Sequence, residues 1–396
     1  MTEHRPAMDE SRSDPAQDRP PRVFVAMSGG VDSAVAALLL QRGGYDVTGL
    51  TFKLFDHATA TDQGDGVPCC STESVYRARR VCDCLGLPHY TLDLREAFRE
   101  FVIGGFVAEY AAGRTPNPCV LCNRHIKFGV FLGRALALGA AYVATGHHAR
   151  ICAAHGVAGW HGQSPALRLL PGRDAAKDQS YALCHLNQTT MPHVLLPVGE
   201  LTKDHVRRLA READLPTAEV PESQDICFVG RGEYPDFLAR HGLTAVPGPI
   251  MTREGKVIGR HRGLPAYTVG QRRGLNLSPD GPWFVAEKRV ADNALVVTCA
   301  EELPRRDLVL ADVNWCDGPE GAWPETWGPD LQVMVRYRSR RVSCAVVRED
   351  PARRRLELHL AEPVVVAPGQ YGVLYDARDD HVVAGGTLGG ACDTEA

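Results

Sequence analysis

The segment SGGVDS, residues 28–33, is a glycine turn between an apolar run and a helix-favouring stretch. Glycines let a ligand approach the backbone, and the N–H groups and dipole at a helix start attract anions. Ser28 and Ser33 add hydroxyl donors. Asp32 repels phosphate unless it caps the helix or holds a magnesium ion, so it favours a metal-bound triphosphate. The turn lacks the Gly-Lys-Ser/Thr ending of a Walker A loop and the spacing of a dinucleotide fingerprint.

A second reactive pattern is the cysteine pair in GRTPNPCVLCNRHIKFG, residues 113–129. Pro116 and Pro118 favour an extended approach, after which Cys122 is predicted to open a helix. A thiolate at a helix N-terminus is stabilised by the dipole, so Cys122 is a candidate nucleophile. A zinc knuckle is the competing interpretation of the Cys119-x-x-Cys122 spacing, but no matching second pair occurs in the sequence.

The chain has thirteen cysteines, an odd number, and no predicted export signal. This favours thiol, metal or redox chemistry over a disulfide framework. Five of the cysteines stand singly among apolar residues, as small buried thiols do: Cys152, Cys184, Cys299, Cys316 and Cys344. Cys227 stands out because it lies in the polar segment ESQDICFVG, residues 222–230. Cys69 and Cys70 form a further pair, in a predicted surface loop, to which we assign no role.

Composition predicts a soluble protein of two or three domains, with 44% apolar and 23% charged residues in 396. Residues 1–21 lack the apolar core of a signal peptide, and no apolar run reaches the ~20 residues of a membrane helix. We therefore expect a cytoplasmic protein without a membrane partner, and a disordered tail over residues 1–21. The net charge is −4, but residues 252–273 and 331–360 each carry +5. Such patches suit a phosphate backbone, although a solvated charged face is equally compatible.

Strands alternate with helices from residue 22 to about 149, which predicts a doubly wound parallel sheet with helices on both faces. The predicted strands cover residues 23–27, 46–53, 89–93 and 141–145, and the predicted helices cover 31–42, 72–85, 95–112 and 122–138. A further helix is predicted over 202–213, with Lys203 on its apolar face. Ligands on such sheets bind at the carboxyl ends of strands, which is where SGGVDS falls.

The character of the sequence changes after residue 230, where proline and glycine separate short β-rich runs. These runs predict a small central β-rich domain and a C-terminal antiparallel β-barrel. The predicted division of the chain is a tail, a catalytic nucleotide-binding domain, a central domain that contacts the substrate, and the barrel, at residues 1–21, 22–225, 226–298 and 299–396.

The SGGVDS segment is similar to the PP-loop of ATP pyrophosphatases, which split ATP between its α- and β-phosphates. From about residue 22 to 390 the chain resembles the bacterial tRNA-specific 2-thiouridylase family, which installs the 2-thio group on the wobble uridine of tRNAs for lysine, glutamate and glutamine. The resemblance implies a PP-loop, HUP-like nucleotide domain. It rests on eight segments in one order: AMSGGVDS (26–33), GRTPNPCVLCNRHIKF (113–128), ATGHHAR (144–150), KDQSYAL (177–183), ESQDICFVG (222–230), YTVGQRRGL (267–275), VRYRSR (335–340) and APGQYGVLY (367–375).

The resemblance implies roles for individual residues. Cys122 is implied as the nucleophile, Cys227 as the persulfide carrier and Asp32 as a catalytic group. The residues implied to bind ATP are Ala26, Met27, Ser28, Gly29, Gly30, Val31, Asp32, Ser33, Phe52, which stands where other members have Met, and Gly146. Those implied to face the target base are Asn117, Pro118 and Cys119. Those implied to contact tRNA are His147, Lys177, Asp178, Gln179, Arg336, Tyr337 and Gln370.

The implied chemistry begins with ATP and Mg²⁺. A carbonyl oxygen at C2 of uracil is a poor leaving group, so adenylation with loss of pyrophosphate must precede its displacement. A persulfide on Cys227 can then attack C2, and Cys122 can release the product by forming a disulfide with Cys227. Alternatively, Cys122 frees hydrogen sulfide first. The resemblance also implies a sulfur-relay protein or cysteine desulfurase as donor, and a monomer.

Three alternatives remain open at the level of sequence. Residue 119 is Cys where some members of the family have Asp, and Cys119, Cys122 and Cys227 could hold a 4Fe–4S cluster whose open iron binds sulfide. A PP-loop synthetase acting on a small metabolite would share the ATP turn but would not require Cys122 and Cys227. A non-catalytic RNA-binding protein with a structural metal would require no ATP turnover.

Overall fold

The fold was analysed in a computed structural model that describes residues 19–55, 72–158, 165–221, 226–229, 234–277 and 281–389. Most of the predicted tail, residues 1–18, and the pair Cys69 and Cys70 lie outside the described residues. No helix among those described combines the length and the apolar character needed to cross a membrane.

The described strands are β1 (Arg22–Ala26), β2 (Asp46–Lys53), β3 (His89–Asp93), β4 (Tyr142–Ala144), β5 (Ala149–Ala158), β6 (Pro165–Pro171), β7 (Val194–Leu195), β8 (Gly248–Thr252), β9 (Val257–His261), β10 (Phe284–Arg289), β11 (Ala294–Thr298), β12 (Arg305–Trp315), β13 (Leu331–Met334), β14 (Val342–Asp350), β15 (Arg355–Val364), β16 (Tyr371–Asp376) and β17 (His381–Leu388). The described helices are α1 (Val31–Arg42), α2 (Thr72–Leu85), α3 (95–111), α4 (118–137), α5 (Lys203–Glu212) and α6 (Tyr234–Arg240). Two of these helices, α3 and α4, contain π-helical turns, at Arg99–Gly104 and Cys122–Phe131.

The N-terminal part is a five-stranded parallel sheet with the order β3-β2-β1-β4-β7. Side chains of β1 alternate between two cores, with Val23 and Val25 in one and Phe24 in the other. The first core contains α1, α2 and α5, and the second contains α3 and α4, so helices cover both faces. This confirms the predicted doubly wound sheet. The turn after β1 lies at the centre of the sheet, where the strand order reverses and such folds bind ligands.

The C-terminal part is a closed antiparallel barrel of six strands, in the order β12-β15-β14-β13-β16-β17 with β17 pairing back to β12. Its interior is apolar and includes Leu310, Leu356, Leu358 and Val333. Between the two parts lies a four-stranded sheet, β10-β11-β8-β9, with its own small core around Ile250 and Leu295. The predicted central β-rich domain and terminal barrel are therefore confirmed.

The hairpin of β5 and β6 is the main feature of the fold that the sequence did not predict. It follows β4 of the parallel sheet, yet its strand β6 pairs with β17 of the barrel, where Leu169 lies opposite Val382. The barrel sheet is thus extended by two strands from the nucleotide-binding part of the chain. Strand pairing between segments about two hundred residues apart leaves no local pattern in the sequence.

Candidate active site

One cavity of about 330 Å³ lies at the carboxyl edge of the parallel sheet. Its walls come from the turn after β1, the loop after β4, the start of α4 and the short segment 226–229. The lining includes Ser28 and Asp32 together with Cys119, Cys122 and Cys227. Segments about a hundred residues apart are thus brought to one cavity, as the predicted chemistry requires.

The turn after β1 is held by its own side chains. Gly29 has a φ of +72°, and a Cβ there would lie 2.5 Å from the Ser74 carbonyl oxygen, so only glycine fits. The Ser33 hydroxyl accepts a hydrogen bond from the Ser28 N–H at 3.2 Å and donates one to the Gly30 carbonyl at 3.1 Å. These bonds fix the loop at the N-terminus of α1, which is the geometry predicted for a phosphate-binding turn.

The loop after β4 packs directly against this turn. A Cβ on Gly146 would lie 2.6 Å from the backbone carbon of Asp32 and from the backbone nitrogen of Ser33. A side chain at position 146 would therefore push the loop away from the start of α1. Gly146 and Phe52, which the resemblance implied near adenosine, both line the cavity.

Asp32 does not cap α1, contrary to one of the two roles considered for it. Its two carboxylate oxygens accept hydrogen bonds from the Lys203 ammonium at 2.8 and 2.7 Å, and the His148 Nε2 lies 3.1 Å away. Burial alone would raise the pKa of Asp32, but the His148 hydrogen bond and the Lys203 charge outweigh it and lower the pKa. Asp32 is therefore an ionised carboxylate in the cavity wall.

Lys203 and His148 were not predicted as site residues. The Lys203 side chain is only 9% exposed. The sequence did carry a sign of this, because the predicted helix 202–213 placed a lysine on its apolar face. A buried lysine requires a nearby anion, and that reasoning could have led to Asp32.

His147 and Gln179, implied to contact tRNA, lie in the wall of the same cavity. The His147 ring is 7% exposed, and its nitrogens lie 2.7 Å from the Thr145 hydroxyl and 3.3 Å from the Lys127 ammonium. Burial and the Lys127 charge hold the pKa of His147 well below its usual value, so the ring is neutral. The Gln179 side-chain oxygen accepts a hydrogen bond from the His148 N–H at 2.8 Å.

Helix α4 begins at Pro118, so the prediction that Cys122 opens the helix is wrong. Asn117 is the N-cap, and its side-chain oxygen accepts hydrogen bonds from the N–H groups of Cys119 and Val120 at 3.2 and 3.4 Å. The Cys122 N–H bonds within the helix, to carbonyls one turn earlier. Cys119 therefore occupies the first turn, and Cys122 faces the cavity from the second. An Asn N-cap followed by Pro is a recognised helix start that the sequence already contained.

The loop that precedes α4 is held from two other domains. The Gln370 amide of the barrel donates hydrogen bonds to the carbonyls of Thr115 and Pro116, at 2.7 and 3.3 Å. The Thr115 N–H donates to the Pro368 carbonyl at 2.7 Å. The Lys288 ammonium of the central sheet donates to the Arg114 carbonyl at 3.3 Å. Both accessory domains thus position the segment that carries Asn117 and Cys119.

Cys227 is positioned by the aromatic residue that follows it. The Phe228 ring lies 5.6 Å from Phe98, 5.3 Å from Phe106 and 5.2 Å from Phe237, measured between ring centroids. Phe228 is 7% exposed, so it anchors the segment in the core, and it also lines the cavity. Sequence reasoning did not identify this role of Phe228, although it stands next to the candidate cysteine.

Family models match the chain in three parts: a tRNA methyl transferase HUP domain at residues 21–231, a tRNA methyl transferase PRC-barrel domain at 235–299 and an aminomethyltransferase beta-barrel domain at 305–388. The chain is 42% identical to tRNA-specific 2-thiouridylase MnmA 1 of Syntrophus aciditrophicus, over 93% of this chain and 92% of that protein. It is 44% identical to tRNA-specific 2-thiouridylase MnmA of Moorella thermoacetica, over 92% and 98%. The chain belongs to the tRNA-specific 2-thiouridylase family. A solved 4-thiouridine synthetase–RNA complex with bound ATP aligns over 56% of this chain and 50% of that one, with 15% identity and a TM-score of 0.35.

The remaining residues that the 2-thiouridylase resemblance implied for tRNA contact lie outside the cavity lining. Asp178 accepts hydrogen bonds from the Gly172 and Ser180 N–H groups at 2.9 and 3.0 Å, which orders its own loop. Arg336 is exposed, and Tyr337 is half-buried with its ring 5.9 Å from Tyr181. Lys177 is half-buried and directly precedes Asp178 in the sequence.

The three cysteines of this 2-thiouridylase cavity are not arranged as the ligands of a single metal ion would be. Their sulfur atoms are not among the groups of described ligand atoms that lie within 4.8 Å of one another. One metal ion would not be held by the three together in this arrangement. A 4Fe–4S cluster, in which each cysteine binds a different iron, needs no such proximity.

Proposed function

We propose that this chain is a tRNA-uridine 2-sulfurtransferase, which thiolates C2 of the wobble uridine in tRNAs for lysine, glutamate and glutamine at the expense of ATP. One observation carries the proposal: the phosphate-binding turn, Cys122 and Cys227 all line the same cavity. Membership of the 2-thiouridylase family supports it. A protein that acts on tRNA in this way works in the cytoplasm, and we propose that it acts as a monomer.

In the first step, the turn after β1 holds the phosphates of ATP. Its N–H groups and the dipole of α1 stabilise the negative charge, while Phe52 offers an apolar contact to adenosine. The C2 oxygen of uridine attacks the α-phosphate, and pyrophosphate leaves with the electron pair of the broken bond. Asp32 is an ionised carboxylate on the cavity wall, which together with substrate phosphates fits the ligand preference of Mg²⁺. When bound there, Mg²⁺ would neutralise phosphate charge.

In the second step, the terminal sulfur of a Cys227 persulfide attacks C2, and AMP leaves with the C2 oxygen. The Cys122 thiolate then attacks the Cys227 sulfur, which forms a Cys122–Cys227 disulfide and releases 2-thiouridine with the electron pair of the former S–S bond. In the alternative order, Cys122 first releases hydrosulfide from Cys227, and hydrosulfide attacks C2. A sulfur-relay protein or a cysteine desulfurase supplies the persulfide, and a thiol reductant restores both cysteines.

A third route remains because Cys119 also lines the cavity. With Cys119, Cys122 and Cys227 as ligands, a 4Fe–4S cluster would bind the sulfide that is transferred. Full thiolation by protein purified without air and free of iron would exclude this route.

Arg336 and Tyr337 are proposed to dock the tRNA. Arg336 is exposed, and the Arg338 guanidinium lies 5.2 Å from the centroid of the Tyr337 ring. An arginine fork for phosphate next to a half-exposed tyrosine suits the splayed bases of an anticodon loop. We further propose, as the resemblance implies, that Lys177, Asp178, Gln179 and His147 contact tRNA, the last two from the cavity wall.

The decisive experiment is mass spectrometry of tRNA nucleosides after incubation with ATP, Mg²⁺ and a persulfide or sulfide source. We expect 2-thiouridine in a tRNA with uridine at the wobble position and none in the same tRNA with cytidine there. Pyrophosphate release that needs no tRNA would instead favour a synthetase for a small metabolite. Tight tRNA binding without any pyrophosphate release would favour a non-catalytic RNA-binding protein.

A further inference from the structure

A second cavity, of about 560 Å³, lies where the three parts of the chain meet. Its walls are the backbone around Gly113, the central strand segment 286–288 and the start of β12 at 305–309. The candidate cysteines and the ATP turn do not line it. It touches the first residues of the loop that leads to Cys119, so a ligand there would lie next to the segment that presents the target base.

The cavity lining is strongly positive. Its two carboxylates are Glu287 and Asp307, and the Asp307 carboxylate already lies 2.7 Å from the His359 ring. The five cationic side chains of the lining are Arg114, Arg253, Lys288, Arg305 and Arg306. A concave surface with such an excess of positive charge concentrates anions.

Lys288 is the buried centre of this charge. It is 8% exposed, and its ammonium donates to the carbonyls of Arg114 and Tyr267, at 3.3 and 3.0 Å. No carboxylate among the described residues lies within ion-pair distance of it. Burial lowers the pKa of Lys288 to about 8, as expected for an ammonium that lacks a counter-ion. Two of its three N–H groups donate these hydrogen bonds, and the ammonium also lies 5.5 Å from the centroid of the Tyr110 ring, a contact that supplies no counter-ion.

The cations at the rim differ in how far they are already engaged. Arg114 pairs with Glu109, and Arg253 lies 3.8 Å from Glu302. Arg306 donates to two backbone carbonyls of β15. Arg305 is exposed, and within the described part of the chain its guanidinium has no hydrogen-bond or ion-pair partner. Arg305 is therefore the group best placed to bind an incoming anion.

We propose that this junction cavity binds a phosphate group of the tRNA backbone, with Arg305 at the rim and Lys288 inside. The proposal rests on the proposed function, and it adds a tRNA-binding site distinct from Arg336 and Tyr337. A phosphate supplies the counter-ion that Lys288 lacks, and arginine forks match phosphate oxygens geometrically. Lys288 also donates a hydrogen bond to the Arg114 carbonyl. It would therefore link the bound phosphate to the loop that carries Asn117 and Cys119.

The test compares two exposed arginines, Arg305→Ala and Arg80→Ala, the second on α2 and outside the cavity lining. Equilibrium binding of tRNA is measured from low to moderate KCl. Arg305→Ala is expected to reduce the slope of log affinity against log salt by about 0.9, the value for one phosphate contact. It should raise KM for tRNA several-fold and leave kcat close to that of the parent protein. Arg80→Ala is expected to change neither quantity.

A second pair of variants examines the buried lysine. Lys288→Met should weaken tRNA binding and also lower kcat, since it removes the hydrogen bond to the loop, whereas Lys288→Arg should retain most of the affinity. Titration calorimetry with inorganic phosphate, without tRNA, separates the two sources of phosphate. If Arg305→Ala abolishes phosphate binding but leaves the salt slope for tRNA unchanged, the cavity takes a free anion and the tRNA assignment is wrong.

An unchanged slope and KM in Arg305→Ala, with normal 2-thiouridine formation by the parent protein, would overturn this inference alone. Failure of the parent protein to form 2-thiouridine would overturn the proposed function instead, whatever the slope. The two failures are therefore distinguishable in one set of measurements.

Discussion

The two walls of the active-site cavity are built in different ways. The phosphate-binding turn of the nucleotide wall is shaped locally, because its hydrogen bonds join Ser28, Gly30 and Ser33, which lie within five residues. The sulfur wall is assembled from afar, since the loop before Cys119 is held by Gln370 and Lys288, and Cys227 is held by a cluster of aromatic rings. The shape of the phosphate-binding turn thus depends on a short segment, while the sulfur wall depends on contacts from the barrel and the central sheet.

The sharpest test of this difference removes one sulfur at a time. Cys122→Ser and Cys227→Ser should each lower 2-thiouridine formation by more than about 10³-fold, the scale expected for loss of a nucleophile. Pyrophosphate release in the presence of tRNA should continue for a single turnover, because the nucleotide wall is intact. Cys152→Ser is the control, since this half-buried thiol does not line the cavity. Equal loss of pyrophosphate release would show that the two walls are not independent.

A change in the nucleotide wall should have the opposite pattern. Lys203→Met leaves the Asp32 carboxylate without its ammonium partner, and pyrophosphate release should fall by about a hundredfold, as when one electrostatic group is removed from an active site. The free energy of unfolding should fall by about 2 kcal/mol, less than the ~3–5 kcal/mol of a fully buried pair because Asp32 is 30% exposed. Urea unfolding measures this, with Lys256→Met as an exposed control.

The double variant Asp32→Asn, Lys203→Met should recover part of that stability but not the activity.

The pH dependence of the free energy of unfolding has a definite sign. The pKa of Asp32 is lowered from 3.8, so the pair stabilises the fold above pH ~4 and this contribution is lost as the pH falls through the folded-state pKa. The stability difference between the parent protein and Asp32→Asn should be constant from pH 7 to 5 and shrink below pH 4. A difference that grows on acidification would contradict the ion pair.

A variant of Gln370 tests whether the barrel acts by positioning the loop of the sulfur wall or by contacting tRNA directly. Its amide makes two hydrogen bonds to the loop before α4, each worth ~1 kcal/mol, so Gln370→Ala should reduce kcat for thiolation by about tenfold. The salt dependence of tRNA binding should not change. A flatter salt slope with normal kcat would instead favour direct contact with tRNA, and Gln332→Ala on β13 serves as the control.

The smallest effect is expected at the surface. Arg336→Ala should weaken tRNA affinity a few-fold and flatten its salt slope by about one unit, without changing pyrophosphate release at saturating tRNA. Filter binding over a range of KCl concentrations measures both. Arg348→Ala, at an exposed arginine on β14, should leave the slope unchanged. Identical behaviour of the two variants would remove Arg336 from the tRNA contact.

Much of the fold and of the nucleotide wall could be predicted because both depend on local patterns. The periodicity of the apolar residues and the positions of the glycines define the strand–turn–helix unit around residues 28–33. The predicted strands of the parallel sheet agree with the structure within a few residues. The start of α4 was also present locally, in Asn117 and Pro118, but both prolines of the loop were assigned to an extended approach.

The rest could not be predicted for a physical reason. The pairing of Asp32 with Lys203 spans 171 residues, and the bond from Gln370 to Thr115 spans 255. Such contacts depend on how whole domains dock, which no window of sequence encodes. The resemblance implied Gln370 as a tRNA contact, and the structure shows that its amide also donates hydrogen bonds to carbonyls of the loop before α4.

The β5–β6 hairpin makes this enzyme hard to shorten. A fragment ending near residue 230 would keep β6 but lose β17, which would expose a strand edge with unpaired N–H and C=O groups. Edges of this kind recruit further copies of the same chain. A minimal version reduced to the nucleotide-binding part would therefore be expected to aggregate before its chemistry could be assayed.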